Sequence, residues 1–127
     1  MLNMNVVCAI IYRDDKVFIA RRKQGKSMAS KWEFPGGKIE ENESEVEALK
    51  RELIEELGMS VDIHKKLGSN IHNYDDFTIN LIAYSCEFKS ATFTLTDHDQ
   101  YIWVEPKNLS KYDLAEADIP IANLIPD

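Results

Sequence analysis

One stretch limits what this chain can fold into: the only long helical signal lies between Ser44 and Leu57. Val46, Leu49, Leu53 and Leu57 recur there at three- and four-residue steps and make a single apolar stripe. Ser44 with Glu47 three residues on is a capping-box pattern, and Gly58 is a natural residue to stop the helix. A helix with one apolar stripe must bury it against another element, and the remaining sequence offers strands. Residues 4–12 (MNVVCAIIY) are apolar and β-branched enough for a central strand, 13–16 reads as a turn, and 17–20 as the returning strand. Residues 21–30 read as a polar loop. Trp32-Glu33-Phe34 reads as a short extended piece, stopped by a tight turn at Pro35-Gly36-Gly37. Further strands are expected near 61–69, 77–88 and 100–104, and short helices at 106–110 and 117–124. In the 77–88 strand Phe77, Ile79, Leu81 and Ala83 alternate with other hydrophobics, which predicts cover on both faces near its centre. Several strands around one amphipathic helix, with a second helix at the end, predict an α+β or α/β/α layered domain occupying residues 1–127 as one unit.

The net charge of −7 weighs against double-stranded nucleic acid as the main partner, because that binding draws on Lys and Arg to neutralise phosphates. It leaves open a small phosphorylated ligand bridged by metal ions. No apolar run is long enough for a bilayer, and MLNMNVVCAIIYRDD has neither a basic leader nor a small-residue cleavage site, so no membrane association is expected. Cys8 and Cys86 sit in apolar or alternating runs without partners at metal spacing, which reads as buried free thiols in a reducing, cytoplasmic setting. His64, His72 and His98 have no mutual ligand spacing, and no Ser or Cys has a recognisable catalytic partner. Nothing isolates an interface, so monomer and homodimer are both expected states.

The helix carries more than its apolar stripe. At about 100° per residue with Glu52 as zero, Glu55 falls at about 300° and Glu56 at about 40°. Three carboxylates therefore share one face beside the buried stripe. Like charges at this spacing destabilise a helix unless solvent or cations compensate. Oxygen ligands at this density suit magnesium, with manganese as a substitute. On geometry alone an exposed Glu-rich helix is the alternative, and it accounts individually for Glu40, Glu41, Glu43, Glu45 and Glu47, with Glu40 and Glu43 near enough for supporting roles. Gly36-Gly37 allows close backbone approach, and a carbonyl there could add a hard-metal ligand. Arg51 points away from the centre of the carboxylate face, toward a structural ion pair that holds a loop.

Gly37 to Met59 resembles the Nudix box: Gly37, then Glu43, Arg51-Glu52-Leu53, Glu55-Glu56 and Gly58-Met59, at the family's spacing and without departure. The resemblance extends over nearly the whole chain to the MutT-like branch, through Arg22, Trp32-Glu33-Phe34-Pro35-Gly36-Gly37-Lys38 and Leu114-Ala115-Glu116-Ala117-Asp118-Ile119-Pro120. It implies the Nudix α/β/α sandwich around a mixed sheet. It also implies that Glu52, Glu55 and Glu56, with the Gly36 or Gly37 carbonyl, bind Mg2+ or Mn2+, while Glu43 and Arg51 organise the loop–helix–loop. Counting back from Trp103, Asp97 falls where the family supplies one more acidic ligand, and Asp99 is the fallback.

The implied reaction is hydrolysis of a nucleoside triphosphate to the monophosphate and pyrophosphate, with water attacking phosphorus and Glu52 or Glu55 taking its proton. Arg22 resembles a phosphate- or base-contacting residue, and Lys38 is a candidate phosphate contact. Phe77 and Tyr74 are candidates for the base pocket. Asp118 matches the position that meets the base edge, where an acid can accept from an amino group but lacks the donor of an amide. The branch includes 8-oxo-dGTP diphosphatase, the leading expectation for substrate, and a CTP pyrophosphohydrolase, its rival. A catalytically silent nucleotide-binding domain of the same fold is the expectation from another class.

Overall fold

The computed structural model describes residues 2–26 and 28–126, so Ser27, inside the expected 21–30 loop, lies outside the described residues. Strand β1 (Leu2–Arg13) turns through Asp14 into β2 (Lys16–Arg22), and two short strands follow, β3 (Trp32–Glu33) and β4 (Gly36–Lys38). Helix α1 (Glu45–Leu57) leads to β5 (Met59–Asn73), β6 (Phe77–Ala91) and β7 (His98–Val104). A 3-10 turn at Pro106–Lys111 and helix α2 (Asp118–Ala122) complete the described elements. The strands form one seven-stranded mixed sheet in the order β3-β2-β1-β6-β5, with β4 pairing β1 and β7 pairing β2. Among the described strand pairs β1–β6 alone is parallel, with Val7 opposite Ile82 and Cys8 opposite Ala83.

Alternation along β1 and β2 explains the layering. Val7, Ala9 and Ile11, with Phe18 and Ala20, face α1 and pack on Leu49, Leu53 and Leu57. Cys8, Ile10, Val17 and Ile19 face the other way and pack with Leu81, Ala83, Leu109 and Ile121. Both faces of these central strands are covered, so they read as continuous apolar runs rather than alternating ones. Leu49, Leu53 and Leu57 are fully buried, and burial of each stabilises by about 2 kcal/mol. Cys8 and Cys86 are buried free thiols, and among the described residues no helix is long and apolar enough to cross a membrane.

Several boundaries move. The expected strands lengthen, because β5 and β6 pair from Met59–Ala91 to Asn73–Thr78 across register shifts that a local pattern does not reveal. The Gly36-Gly37 turn is corrected to strand β4, antiparallel to β1. A Cβ on Gly36 would lie 1.9 Å from the Val7 carbonyl oxygen, so close strand approach is what requires that glycine. The helix expected at 106–110 is a six-residue 3-10 turn and that at 117–124 shrinks to five residues, each with Pro in or at its first turn.

The α1 start is built as the sequence predicts. Ser44 Oγ accepts from Glu47 N–H at 3.1 Å, and Glu47 Oε1 accepts from Ser44 N–H at 2.9 Å. Gly58 closes the helix at φ 58°, donating to the Ile54 carbonyl. Replacing Ser44 with Ala removes the side-chain half of the box. The expected loss is about 1 kcal/mol, or about 3–5 °C in Tm, measured by thermal unfolding.

Candidate active site

The segment 39–44 is held against α1 by one cation. Glu43 accepts from Arg51 through both carboxylate oxygens, Nε to Oε2 at 2.6 Å and Nη2 to Oε1 at 3.0 Å, and the same Oε1 accepts the Glu40 N–H at 2.9 Å. Arg51 Nη2 also donates to the Lys38 carbonyl at 3.0 Å, joining the end of β4 to the helix. Its Nη1 donates to Glu52 at 2.9 Å and to Glu55 at 3.2 Å. The guanidinium therefore does reach the carboxylate face, contrary to the helical-wheel expectation, because a long side chain can fold back along the helix surface. The Arg51 hydrogen bonds, first, and the Glu40 N–H, second, pull the Glu43 carboxyl down from an ordinary 4.5 to about 2.

Glu52 lies against Gly37: a Cβ there would come within 2.3 Å of the Glu52 carboxyl carbon. Glu56 points inward and is only 4% exposed. Burial first, then the charge of Glu33 and the hydrogen bond and charge of Glu52, push its carboxyl up to about 10. Asp97 adds to the same field. Glu56 Oε2 and His98 Nδ1 are buried without a hydrogen-bond partner, 3.8 Å apart. His98 Nε2 lies 2.8 Å from Glu33 Oε2. Glu33, Glu56 and His98 thus present ligand atoms within 4.8 Å of one another. A recess kept free by Gly37 and a buried carboxylate oxygen lacking a donor are what a divalent cation would satisfy, and the acidic donor set fits one.

Glu33 and His98 were not singled out from the sequence. His98 has no histidine at ligand spacing in the sequence, and its partners come from β3 and α1 instead. The visible signal was the charged residue enclosed in Trp32-Glu33-Phe34. Of the expected ligands, Glu52 and Glu56 adjoin, and Glu55 is exposed beside them, tied to Arg51. Asp97 is paired with Lys26 Nζ at 3.2 Å, and Asp99 with Arg21 Nε at 2.8 Å.

Beside the carboxylates opens a cavity of about 220 Å³ whose wall includes Arg22, Glu33, Lys38, Tyr74, Phe77 and Asp118. A larger space of about 610 Å³, between the 106–111 turn and α2, has Asp113 as its one acid and none of the residues above. Asp118 Oδ2 accepts the Phe34 N–H at 2.8 Å, and Tyr74 and Phe77 pack with ring centroids 5.0 Å apart. Burial, then the nearby charge of Glu33, hold the Asp118 carboxyl well above the ordinary 3.8, and the Phe34 N–H only partly opposes them. Burial thus favours the neutral form of Asp118, and a neutral carboxyl both donates and accepts, whereas an ionised aspartate has no donor.

Comparison with known proteins follows the same lines. The NUDIX domain family model matches residues 6–124. The chain is 37% identical to the CTP pyrophosphohydrolase of Escherichia coli (strain K12) over 121 residues, covering 95% of this chain and 90% of that one. It is 44% identical to the 8-oxo-dGTP diphosphatase of Proteus vulgaris over 69 residues, 54% of this chain and 62% of that one. The solution structure of the MutT protein (family Nudix hydrolase) of methicillin-resistant Staphylococcus aureus 252 superposes with a TM-score of 0.76 at 40% identity, over 97% of this chain and 95% of that one.

The Glu43–Arg51 pair has a measurable pH signature. A depressed carboxyl contributes stability fully above its ordinary 4.5, and loses it as pH falls through about 2. Carboxyl-carbon NMR is expected to show Glu43 still ionised at about pH 3.5, and Arg51→Ala to return its titration toward the unperturbed range.

Proposed function

The chain belongs to the Nudix hydrolase family, in its MutT-like branch, and from that premise we propose a magnesium-dependent hydrolase that converts a nucleoside triphosphate to the monophosphate and pyrophosphate. The observation that carries the reading is the Glu52 carboxyl set against Gly37, a residue on the wall of a cavity of about 220 Å³ that the buried Asp118 also lines. Glu52, Glu55 and Glu56 would hold Mg2+, with Mn2+ as a substitute and Asp97 close enough to contribute. The cation, when bound, offsets phosphate charge and lowers the pKa of water.

The protein's own groups divide the remaining work. Gly37 leaves room for the Glu52 carboxylate, and Arg51 fixes Glu52 and Glu55 while joining them to the loop bearing Glu43. Lys38 and Arg22 line the cavity and would meet phosphate or base. Glu52 or Glu55 receives the proton of the attacking water as its oxygen bonds to phosphorus, and the bridging bond breaks to release pyrophosphate. Tyr74 and Phe77 supply an apolar wall for the base.

In the neutral form that burial favours, Asp118 would suit a base edge that offers a donor and an acceptor side by side. Oxidised guanine does so, because N7 gains a hydrogen beside the O6 acceptor, whereas ordinary guanine shows two acceptors there. This supports 8-oxo-dGTP as substrate and a role in clearing damaged nucleotides from the cytoplasmic pool. Cytosine also offers a donor, N4, beside the N3 acceptor, and the relative from Escherichia coli is a CTP pyrophosphohydrolase. Cytosine nucleotides are therefore the second reading.

Pyrophosphate release with Mg2+ is to be compared across 8-oxo-dGTP, dGTP, CTP, dCTP and 5-methyl-dCTP. A kcat/KM at least about tenfold higher for 8-oxo-dGTP than for dGTP, about 1.4 kcal/mol, is the expected result. A cytosine preference would replace the substrate, and silence across the panel would favour a binding domain. Glu56→Gln is expected to lower kcat by roughly a hundredfold or more with the fold retained.

A further inference from the structure

We propose that His98 is a positioning residue that ties the base pocket to the cation cluster, holding Glu33 with one ring nitrogen and facing Glu56 with the other. The proposal rests on the reading of Glu56 as a cation ligand and of the Glu33 cavity as the base site. His98 starts β7, and its side chain is fully enclosed. Nε2 lies 2.8 Å from Glu33 Oε2, and Nδ1 lies 3.8 Å from Glu56 Oε2. Neither Nδ1 nor that oxygen has another hydrogen-bond partner.

An imidazole is a rigid plate, so its two nitrogens move together. The contact of Nε2 with Glu33 fixes the plane of the ring and aims Nδ1 at Glu56. The next residue, Phe34, donates its N–H to Asp118. The strand segment 32–34 therefore carries one acid of the base cavity and fixes the other, and the His98 ring anchors that segment from the cation side. A shift of Glu33 on meeting a base moves the ring, and the ring sets the space around the one Glu56 oxygen that no protein donor occupies. Ordinary core packing would account for an enclosed ring. It would not account for a ring placed between two acids of separate duties with its free nitrogen turned to an unpartnered carboxylate.

The test is a double-mutant cycle on Mn2+ affinity, measured by electron paramagnetic resonance without nucleotide, with unfolding midpoints to confirm the fold. Glu33→Gln is expected to weaken Mn2+ binding roughly tenfold in the parent and less than about twofold in a His98→Leu background. His98→Gln, whose amide nitrogen can replace Nε2 as donor to Glu33, is expected to restore most of the dependence on Glu33. It also carries the cycle if leucine is not tolerated. Effects that simply multiply would overturn the proposal, since Glu33 would then act on the cation without the ring, and so would a Glu33→Gln variant that binds Mn2+ like the parent. Because the readout is equilibrium binding, failure of the hydrolase reading would appear separately, as absent turnover in a parent that still binds Mn2+.

Discussion

Like charges crowd one end of this molecule, and a single guanidinium makes the crowding tolerable. Glu40, Glu43, Glu52 and Glu55 all lie within 3.5 Å of an Arg51 nitrogen. Two unit charges about 4 Å apart interact by about 4 kcal/mol at an effective dielectric of 20, so such a cluster without a cation would disfavour the loop and helix meeting. Arg51 offsets part of that repulsion and does so directionally, with a two-pronged bond to Glu43 that fixes the loop and single bonds that fix the helix acids. Glu56 lies outside its reach and keeps an unpartnered oxygen. The local arrangement thus leaves one buried acid for a cation to complete.

The fold's task is to hold that helix still. β1 and β2 are buried on both faces, so α1 rests on a sheet backed by a second apolar layer. The backbone approach of β4 to β1 at Gly36 and the gap at Gly37 bring the strand close enough for Glu52 to fill the space a side chain would take. Substituting either glycine would displace a strand or a ligand, which links packing directly to the chemistry.

The parts legible in the sequence are those carried by short, contiguous patterns. The capping box, the leucine stripe, the αL glycine and the acid spacing all lie within one helix and report on one another. What was not legible depends on elements distant in the chain. β4 looked like a turn because Pro-Gly-Gly carries no record of the β1 backbone beside it. Glu33 and His98 are 65 residues apart, and their meeting is set by the pairing of β2 with both β3 and β7. The reach of Arg51 onto Glu52 and Glu55 depends on a side-chain conformation that a helical wheel does not contain.

The same division separates reaction from substrate. Phosphate chemistry needs several oxygens on one rigid face, which a single helix encodes. In the proposed reading base selection falls to Asp118 at the start of α2, whose ionisation is disfavoured by burial and by Glu33, 85 positions earlier on β3. Aspartate and asparagine differ at that position by a donor only while the acid is ionised. Where the carboxyl is neutral, the substitution no longer distinguishes an amide-like reader from an acid-like one. On the proposed reading, selectivity then turns on how Glu33 is held, because its charge disfavours ionisation of Asp118 and its carboxylate lies within hydrogen-bonding distance of the ring that faces Glu56.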